Sequence, residues 1–428
     1  MKFQPPKGTR DLLPEDASKL QKIIEVCRDV FEKYGFEPLI TPAFESFELL
    51  SAKGGLGEAV KDEIYYFKDK SERELGLRFD LTMPLARVVS STSLPKPFKR
   101  YAIDKVWRYD NPQAKRWREF FQADIDIVGS SSLTADVECL TAVCEILDKL
   151  GFKNYQIRVN SRKIFDTLIP QILEEGFKDS EAGLERVDIL TLIDKIEKVG
   201  REKIEKELDE MNVKTKKLFE ILETSGTNEK ILEYIRKKLG NNKGLDELET
   251  LLELGDRFGI DKKLKIDLSL VRGLEYYTGV IFEINLGAQV SCGGGGRYDT
   301  LIEKIGGQSL PATGISLGLD RILEVMKENK MFKTEKDGTK VFVANVEDSV
   351  ISYTIKIVKQ LRENNINAQM DLMERNFSKQ LEYASNSQIP YVIIVGPTEV
   401  KKKKFKLKDM KTGKQRELNL KKIISLLK

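Results

Sequence analysis

The sequence predicts an α+β fold, and three patterns along its 428 residues carry that prediction. Apolar and polar side chains alternate over residues 77–129 and again from residue 264, which is the period of half-buried strands. Between these regions, residues 161–260 are rich in Lys and Glu and lack the alternation, which favours helices. From residue 340 onward, strand-like and helix-like segments alternate, as in a small α/β domain.

The N-terminal elements follow from periodicity and from proline. Apolar residues at helical spacing predict a helix over residues 18–35. The segment FEPLITPAFE is interrupted by proline and suits a sheet edge or a subunit contact better than a sheet centre. A second helix is predicted to begin at Met83-Pro84, because proline suits a first helical turn. A third helix spans residues 134–150.

The later elements are predicted in the same way. Strand alternation from residue 264 leads to a helix over residues 317–328. The polar segment MKENKMFKTEKDGTK is a predicted linker. After it, KVFVANV, INAQMDL and PYVIIVG are predicted strands of a largely buried sheet, and SYTIKIVKQLREN and FSKQLEYASN are the helices between them.

Composition limits the kinds of protein and of chemistry that are possible. A chain with 40% hydrophobic and 33% charged residues is long enough for two or three domains. The net charge of +4 does not indicate a nucleic-acid-binding protein, although VKKKKFKLKDMKTGKQR is locally very basic. Because there is no signal peptide and no apolar run that could span a bilayer, we expect a cytoplasmic protein without membrane contact.

Cysteine and histidine usage bear directly on catalysis. Cys27, Cys139, Cys144 and Cys292 have the spacing of neither a metal site nor a disulfide framework, so we expect buried thiols. The chain contains no histidine, which excludes His-containing catalytic triads, His-ligated metals and any imidazole general base. Catalysis would have to use carboxylates, Arg, Lys, Tyr, backbone dipoles or oxygen-ligated metals.

A predicted strand leads directly into SLVRGLEYYTGVIFEINL. Apolar residues occupy every second position from Leu264 to Leu270, and by the same parity Arg272 lies on the apolar side. An unpaired buried guanidinium costs on the order of several kcal/mol, so Arg272 needs a negative partner. Glu275, Glu283 or an anionic substrate would provide it.

Residues 100–129 are predicted to form two strands around a basic loop. One face of the second strand carries Phe120, Gln122, Asp124 and Asp126, and the other face is apolar. An aromatic ring, an amide and two acids side by side suit a site that stacks a flat ring and binds polar groups. The alternative is the solvated face of an antiparallel hairpin.

Arginines crowd one end of this hairpin. Arg108 ends the first strand, and Arg116 and Arg118 lie in the loop. Their like charges repel unless an anion joins them, and guanidinium groups suit bidentate contacts with phosphate. The crowding therefore favours an anion site over a solvated hairpin.

A further polar face precedes the second predicted helix. In LRFDLTMPLA, apolar residues alternate with Arg78, Asp80 and Thr82. Asp80 and Thr82 could hold an ammonium group. The alternative, favoured when this segment is considered alone, is that Thr82 caps the helix that follows.

Glycines mark places where a backbone or a ligand approaches closely. Four consecutive glycines, Gly293–Gly296, lie in a strand-like region, and their spacing fits neither a P-loop nor a dinucleotide fingerprint. The segment TGISLGLDRIL places glycines ahead of Arg321. Arg108, Arg272 and Arg321 together suit an extended polyphosphate, although none of these signals is specific by itself.

The chain resembles the histidyl-tRNA synthetases, which are class II aminoacyl-tRNA synthetases, in six segments that follow one another in the same order. These are KGTRDLLP, LRFDLTMPLAR, RYDNPQAKRWREFFQADIDIVG, LVRGLEYYTGVIFE, GGGGRYDTL and GISLGLDRI. The resemblance covers nearly the whole chain, and RGLEYYTG is a signature of this family among class II enzymes. LRFDLT and QADIDI resemble the archaeal and eukaryotic branch more than the bacterial one.

The resemblance implies a domain organisation. The expected parts are an antiparallel-sheet class II catalytic domain (1–160 and 261–325), a helical insertion (161–260), a linker (326–339) and a C-terminal α/β anticodon-binding domain (340–428). A homodimer would form partly through residues 36–45. The insertion would clamp the acceptor arm of tRNA(His), and the lysines near residue 400 would contact its phosphates or protect a solvated sheet edge.

The resemblance also implies a reaction: ATP-dependent ligation of L-histidine to tRNA(His) through histidyl-adenylate, with release of AMP and pyrophosphate. The first step needs no side-chain base, since the carboxylate of the substrate attacks the α-phosphate. The lack of histidine fits this chemistry, which depends on positioning and charge stabilisation. Mg²⁺ is expected to bridge the phosphates of ATP, and no residue of the chain is predicted as a metal ligand.

Site residues carry over from the matching motifs. The ATP-binding residues are expected to be Arg108, Asp110, Arg116, Phe120 and Arg321. Arg108 would contact the α-phosphate, Arg321 the γ-phosphate, and Phe120 would stack on adenine. Arg116 would also meet the acceptor end of the tRNA. Arg272 matches the catalytic arginine of the family, so its negative partner is expected to be the substrate, and Arg272 and Arg108 are the predicted catalytic residues.

The resemblance places histidine beside the same strand. Asp80, Thr82 and Gln122 would hold the α-ammonium group, while Asp126 and Tyr277 would contact the two imidazole nitrogens. Tyr276 and Tyr298 would lie nearby. Asp126 is one methylene shorter than the Glu of bacterial members.

Other assignments remain open at this stage. The regulatory subunit of ATP phosphoribosyltransferase shares the catalytic fold but generally lacks the anticodon domain and the complete RGLEYYTG motif. A synthetase for threonine would need His and Cys zinc ligands, and those for proline or glycine lack the motif at 271–279. A tRNA-sensing protein with an inactive site is disfavoured by the arginines at 108, 272 and 321.

Overall fold

The computed structural model describes residues 3–52, 64–109, 117–173, 186–210, 213–271, 276–287, 291–332 and 338–428. The chain divides into two compact units, Met1–Phe332 and Lys333–Lys428. Across the described ranges, no helix combines the length and the apolar character needed to cross a membrane.

The first unit begins with mixed helices and strands. They are α1 (Pro14–Lys33), β1 (Glu37–Pro38), β2 (Phe44–Ser46), α2 (Phe47–Ser51), β3 (Tyr66–Lys68), β4 (Glu74–Leu77), α3 (Thr82–Ser91), β5 (Phe98–Trp107), β6 (Glu119–Val128) and α4 (Leu133–Lys149). The three helices predicted here are confirmed, with α1 starting earlier because Pro14 occupies its first turn.

The middle of the first unit is helical between two strands. After β7 (Gln156–Ser161) come α5 (Ile164–Ile172), α6 (Arg186–Asp194), α7 (Ile196–Val199), α8 (Arg201–Glu210), α9 (Thr215–Leu222), α10 (Asn228–Leu239) and α11 (Lys243–Arg257). The unit continues with β8 (Leu264–Ile266), β9 (Val280–Asn285), β10 (Ser291–Arg297), α12 (Leu301–Lys304), β11 (Ala312–Gly318) and α13 (Leu319–Glu328). The helical character of the middle region is confirmed.

The main sheet of the first unit has the strand order β1-β5-β6-β11-β10-β9-β7-β8. Neighbours from β5 to β7 run antiparallel, and β1 and β8 join the two edges in parallel. The prediction of an antiparallel sheet is therefore confirmed for all but its edges. The proline-containing segment lies at an edge as expected, since Pro38 has no N–H to donate to a further strand.

The main sheet and helices of the first unit share one hydrophobic core. The apolar face of β6 contributes Ala123, Ile125 and Ile127, while Phe165 of α5 and Leu248 of α11 enter the same cluster. The helices of the middle region therefore do not have a core separate from the sheet within the described residues. All four cysteines are buried and unpaired with one another, as predicted.

The second unit is a five-stranded α/β domain. Its elements are β12 (Val341–Asn345), α14 (Ile351–Glu363), β13 (Ala368–Met370), α15 (Phe377–Asn386), β14 (Tyr391–Val395), α16 (Pro397–Lys402), β15 (Phe405–Asp409), β16 (Gln415–Leu418) and α17 (Leu420–Leu427). The strand order is β13-β12-β14-β15-β16, with β12 parallel to β13 and β14. The predicted alternation and the buried sheet are confirmed.

The hairpin of β15 and β16 was not predicted, because lysines dominate its sequence. Only Phe405 and Leu407 are buried on β15, and Lys406 and Lys408 occupy the other face. Since β15 pairs with β14 on one side and β16 on the other, these lysines do not lie on an edge strand. The interpretation of the lysine run as edge protection is wrong for β15.

Candidate active site

A cleft in the first unit collects most of the predicted site residues. It encloses about 1160 Å³ of empty space, part of it open solvent. Of the 13 predicted site residues, the ten that the structure describes all line this cleft: Asp80, Thr82, Arg108, Phe120, Gln122, Asp126, Tyr276, Tyr277, Tyr298 and Arg321. The other three, Asp110, Arg116 and Arg272, lie outside the described residues.

The cleft-facing side of β6 supplies one wall. Period-two alternation sends Phe120, Gln122, Asp124 and Asp126 to the cleft, while the intervening residues enter the core. Asp124 and Asp126 are each 2% exposed. The alternative of a solvated hairpin face is therefore wrong for this end of the strand.

Asp126 is held by a buried cation and a phenol. Its Oδ2 lies 2.6 Å from Nη2 of Arg100, a side chain with no exposed surface, and the Tyr298 hydroxyl donates to its Oδ1. Arg100 Nη2 also donates to the Leu81 carbonyl at 3.0 Å. Burial, reinforced by the charge of Asp126, raises the pKa of Tyr298 well above its usual value, so the phenol remains a donor.

Arg100 was not among the predicted site residues, although its position in the strand register indicates its role. Arg100 on β5 lies directly opposite Asp126 on β6 in the strand register. Opposite charges at paired positions of neighbouring strands stabilise each other. Aligning the two predicted strands as a hairpin would have revealed the pair, whereas the single-strand alternation does not.

Glycine is required where β11 passes Asp126. Gly314 is the register partner of Asp126, and a Cβ added to Gly314 would lie 2.0 Å from Asp126 Oδ1. On the next strand, a Cβ on Gly295 would lie 1.9 Å from the Gly314 carbonyl oxygen. The prediction that these glycines permit close approach is confirmed.

Asp80 stands at the start of α3. Its Oδ1 accepts hydrogen bonds from the backbone N–H groups of Thr82 at 3.1 Å and Met83 at 3.0 Å. Asp80, one residue before the N-cap position Leu81, therefore satisfies the first turn of this helix, and the interpretation of Thr82 as the cap is wrong. A carboxylate suits this place because it complements the positive end of the helix dipole. Arg78, whose own side chain is buried, instead pairs with the partly exposed Asp104 at 2.6 Å.

Two arginines and an aromatic ring also line the cleft. Arg108 donates from Nε to the Phe79 carbonyl at 3.0 Å, and its guanidinium lies 5.2 Å from the centre of the Phe120 ring. Arg321 of α13 donates to the Ser291 carbonyl. The two guanidinium groups provide donors for phosphates, and the Phe120 ring provides a surface for a base.

Glu283 and Glu275 are the candidate partners of Arg272 within the chain. Glu283 pairs with Arg158 at 2.9 Å, and Arg158 also pairs with Asp267 at 2.8 Å. Glu283 is therefore occupied by another arginine. Glu275, like Arg272, lies outside the described residues.

Three tyrosines form an aromatic wall. The ring of Tyr276 lies 4.5 Å from that of Tyr277 and 6.0 Å, edge to face, from that of Tyr298. All three side chains are buried. The wall supplies aromatic rings in several orientations, with phenol groups, for contact with a small aromatic substrate.

The described part of the site offers no preformed protein cage for a metal. Among the residues described, no group of three or more Asp, Glu or Cys side chains is placed to hold an ion. Asp320, which also lines the cleft, pairs with Arg10 at 2.8 Å and accepts from the Phe121 N–H at 2.7 Å. An ion brought by ATP would depend on phosphate oxygens and water, which Mg²⁺ commonly retains.

The antiparallel sheet, its nucleotide-sized cleft and the appended α/β unit define a class II aminoacyl-tRNA synthetase. A family model described as histidyl-tRNA synthetase matches residues 8–322, and one described as an anticodon binding domain matches residues 340–428. The chain belongs to the histidyl-tRNA synthetase family, an enzyme family that ligates histidine to tRNA, and the predictions of family, enzyme class and fold are confirmed.

Individual relatives extend over nearly the whole chain. The histidine–tRNA ligase of Clostridium tetani (strain Massachusetts / E88) is 38% identical over 438 residues, covering 98% of this chain and 97% of that protein. That of Aeropyrum pernix is also 38% identical, covering 92% and 91%. The crystal structure of histidyl-tRNA synthetase from Nostoc sp. PCC 7120 superposes with a TM-score of 0.84 at 29% identity, covering 100% of this chain and 99% of that one. Because a bacterial and an archaeal relative are equally similar, the archaeal or eukaryotic branch stays a prediction.

Proposed function

We propose that the cleft forms histidyl-adenylate from L-histidine and ATP and then transfers the histidyl group to tRNA(His), with release of pyrophosphate and AMP. The observation that carries this proposal is the convergence of ten predicted site residues, distant in sequence, on one cleft. Family membership supports the choice of histidine and its tRNA.

ATP would lie along the end of the cleft that holds the arginines. In this arrangement Phe120 stacks on adenine, Arg108 contacts the α-phosphate and Arg321 the γ-phosphate. The proximity of Arg108 to the Phe120 ring supports the placement of base and α-phosphate side by side. Asp110 and Arg116 would complete this subsite from the loop between β5 and β6, with Arg116 also near the tRNA acceptor end.

Histidine would lie between β6 and the tyrosines. Asp80, Thr82 and Gln122 would hold the α-ammonium group, and Asp126 and Tyr277 the imidazole nitrogens. Tyr298 supports Asp126 through its hydroxyl, and Tyr276 packs between the other two rings. The buried Arg100 pairs with Asp126 and fixes its carboxylate, which would accept a hydrogen bond from an imidazole N–H.

Catalysis would then depend on orientation and charge. The carboxylate of histidine attacks the α-phosphate directly, and Arg108 and Arg272 stabilise the negative charge that develops there. No proton has to be removed by a side chain in this step, which is compatible with a chain that contains no histidine. Mg²⁺ would arrive with ATP, since the described residues offer no cage for it.

The proposed domains divide catalysis and tRNA binding between them. Residues 1–160 and 261–325 would form the catalytic domain, residues 161–260 would contact the acceptor arm, and residues 326–339 would link to the anticodon-binding domain at 340–428. The basic residues of α16 and β15 would contact tRNA phosphates. We further propose a homodimer and a cytoplasmic location.

The test is ATP–pyrophosphate exchange by the purified full-length protein with each of the twenty amino acids, followed by charging of tRNA(His). Exchange with histidine alone, followed by charging, is expected. A folded protein without exchange for any amino acid would overturn the proposal and favour a regulatory or tRNA-sensing role. Exchange with a different amino acid would overturn the choice of histidine but not the class of enzyme.

A further inference from the structure

Asp124 is the one acidic residue of the cleft-facing side of β6 to which the proposed function gives no role. It lies two residues from Gln122 and two from Asp126, it lines the cleft, and it is 2% exposed. Its register partners are Ala102 on β5 and Ser316 on β11. With about 3.3 Å per residue along a strand, Asp124 lies roughly 6.6 Å from each neighbour on its face.

One oxygen of the Asp124 carboxylate, Oδ1, has no hydrogen-bond partner of acceptable geometry among the described residues, and neither has the Ser316 hydroxyl. Ser316 lies close enough to favour the ionised form of Asp124, but it does not satisfy Oδ1. Buried polar atoms are normally paired, because an unpaired one loses its hydration without compensation. A polar ligand that enters the cleft would supply the missing donor.

The other acids of the cleft already have protein partners. Asp80 accepts from two backbone N–H groups, Asp126 pairs with Arg100, and Asp320 pairs with Arg10. Asp124 has no cation of its own among the described ion pairs. Its surroundings therefore favour a ligand that brings a positive charge.

The pKa of Asp124 is consistent with a buried carboxyl group that has no ion-pair partner among the described residues. Burial raises its pKa to about 7, with Arg100 opposing the shift and the negative charges of Asp126 and Asp80 adding to it. The charged and titratable groups that line the cleft around it are Asp80, Arg108, Asp126, Tyr276, Tyr277, Cys292, Tyr298, Asp320 and Arg321, and Arg100 pairs with Asp126. A cation placed beside Asp124 would favour the ionised carboxylate.

We propose that Asp124 is a further ligand-binding residue of the cleft, whose Oδ1 accepts a hydrogen bond from the ammonium group of the bound amino acid, and that the carboxyl group releases its proton to solvent as the ammonium group enters. This inference rests on the proposed function, because it takes L-histidine as the ligand. It adds a fourth contact to those expected from Asp80, Thr82 and Gln122. No bond other than the carboxyl O–H is broken.

The experiment is titration calorimetry of the full-length protein with L-histidine at pH 7.0 and pH 8.0, in buffers of different ionisation enthalpy. The dependence of the heat on the buffer gives the number of protons released. The variants are D124N and, as a matched control, D29N on the exposed side of α1. The difference between wild type and D124N cancels the titration of histidine itself.

We expect the wild type to release roughly half a proton more than D124N at pH 7.0, because a group with a pKa near 7 is about half protonated there. The excess falls at pH 8.0, where Asp124 is already mostly ionised. D124N binds histidine about tenfold more weakly or worse, since a charge-assisted hydrogen bond is lost. D29N matches the wild type in both respects.

The outcomes separate this inference from the proposed function. A folded D124N with the proton release and histidine affinity of the wild type overturns the role of Asp124, while histidine-dependent exchange by the wild type keeps the proposed function intact. A wild type that neither binds histidine nor exchanges pyrophosphate overturns both. If D124N does not fold, D124S removes the same titrating group with a smaller side chain, and the same comparison decides.

Discussion

At the scale of single residues, the ion pair of Arg100 and Asp126 shapes the cleft. Their side chains are 0% and 3% exposed, so each charge depends on the other. Removing one partner of such a pair leaves an uncompensated buried charge, which typically costs about 3–5 kcal/mol. Arg100 therefore both positions the Asp126 carboxylate and contributes to stability.

The first prediction at this scale concerns Gly314. In G314A the new methyl group would collide with Asp126 Oδ1, so the carboxylate must move away from Arg100 and Tyr298. We expect the KM for histidine in pyrophosphate exchange to rise about tenfold to a hundredfold, the size of effect produced by a displacement of about 1 Å.

The matched control for this change is G338A, because an added Cβ at Gly338 meets nothing within 4 Å. G338A should behave as the wild type. A G314A protein with an unchanged KM for histidine would contradict the placement of histidine beside Asp126.

The second prediction at this scale concerns Arg272. In R272K the positive charge remains but the planar guanidinium fork is lost, so the α-phosphate and the substrate carboxylate are no longer held together. We expect histidine-dependent exchange to fall about a hundredfold to a thousandfold while circular dichroism stays unchanged. R257K, on the exposed end of α11, is the control. Near-normal exchange by folded R272K would refute the catalytic role.

Residue-level inference from sequence succeeded where the pattern was local. The alternation on β6 placed Phe120, Gln122 and Asp126 on the cleft side, because a strand alternates whatever its neighbours are. It failed for Thr82, because the choice between Thr82 and Asp80 as the cap depends on how the chain bends into α3. It also missed Arg100, whose role depends on strand register.

At the scale of elements, the segment from β1 to β2 carries apolar side chains that are exposed among the described residues. Ile40 is 89% exposed, and Phe44 is 51% exposed and meets Phe67 edge to face at 6.3 Å. Grouped apolar side chains of this kind mark interaction sites more often than isolated ones do. They support the proposed contribution of residues 36–45 to a dimer.

The corresponding prediction is that I40D weakens the dimer, because a carboxylate cannot be buried there without a partner. Sedimentation analysis at micromolar concentration should show a dimeric wild type and a largely monomeric I40D. L372D is the control, since Leu372 is 87% exposed in the second unit. A dimeric I40D, or a monomeric wild type, would contradict the proposed interface.

Element boundaries were predictable to within a few residues wherever periodicity was strong, as in α1 and α4. The hairpin of β15 and β16 was missed because its apolar face is only two residues long on β15. The helices between β7 and β8 were predicted as helices, but their shared core with the sheet was not. Amphipathic helices show which face is buried and not what covers it.

At the scale of the whole molecule, the chain consists of two units with separate hydrophobic cores. The clusters that contain Ile125 and Tyr298 belong to the first unit, and those that contain Val343 and Val392 to the second. Every described site residue that lines the cleft belongs to the first unit. The chemistry of activation and the proposed recognition of the anticodon are therefore separable.

The prediction at this scale is made for a protein that ends at Phe332. It should retain histidine-dependent exchange within a few fold, while charging of tRNA(His) falls about a hundredfold or more, because the second binding site for the same tRNA is lost. Pyrophosphate exchange and aminoacylation are measured in parallel on the full-length and truncated proteins. Equal charging by both would show that the second unit does not contribute to tRNA binding.

The sequence by itself determined the strand and helix periods, the exclusion of imidazole chemistry and, through its ordered motifs, the family. The periods are set by the stereochemistry of neighbouring residues, while the exclusion and the family follow directly from which residues the chain contains and in what order. Only the tertiary structure decided that Asp80 caps α3, that Arg100 holds Asp126 and that one oxygen of the buried Asp124 lacks a hydrogen-bond partner among the described residues. Each of these depends on strand register and on desolvation, which arise when residues distant in sequence are packed together.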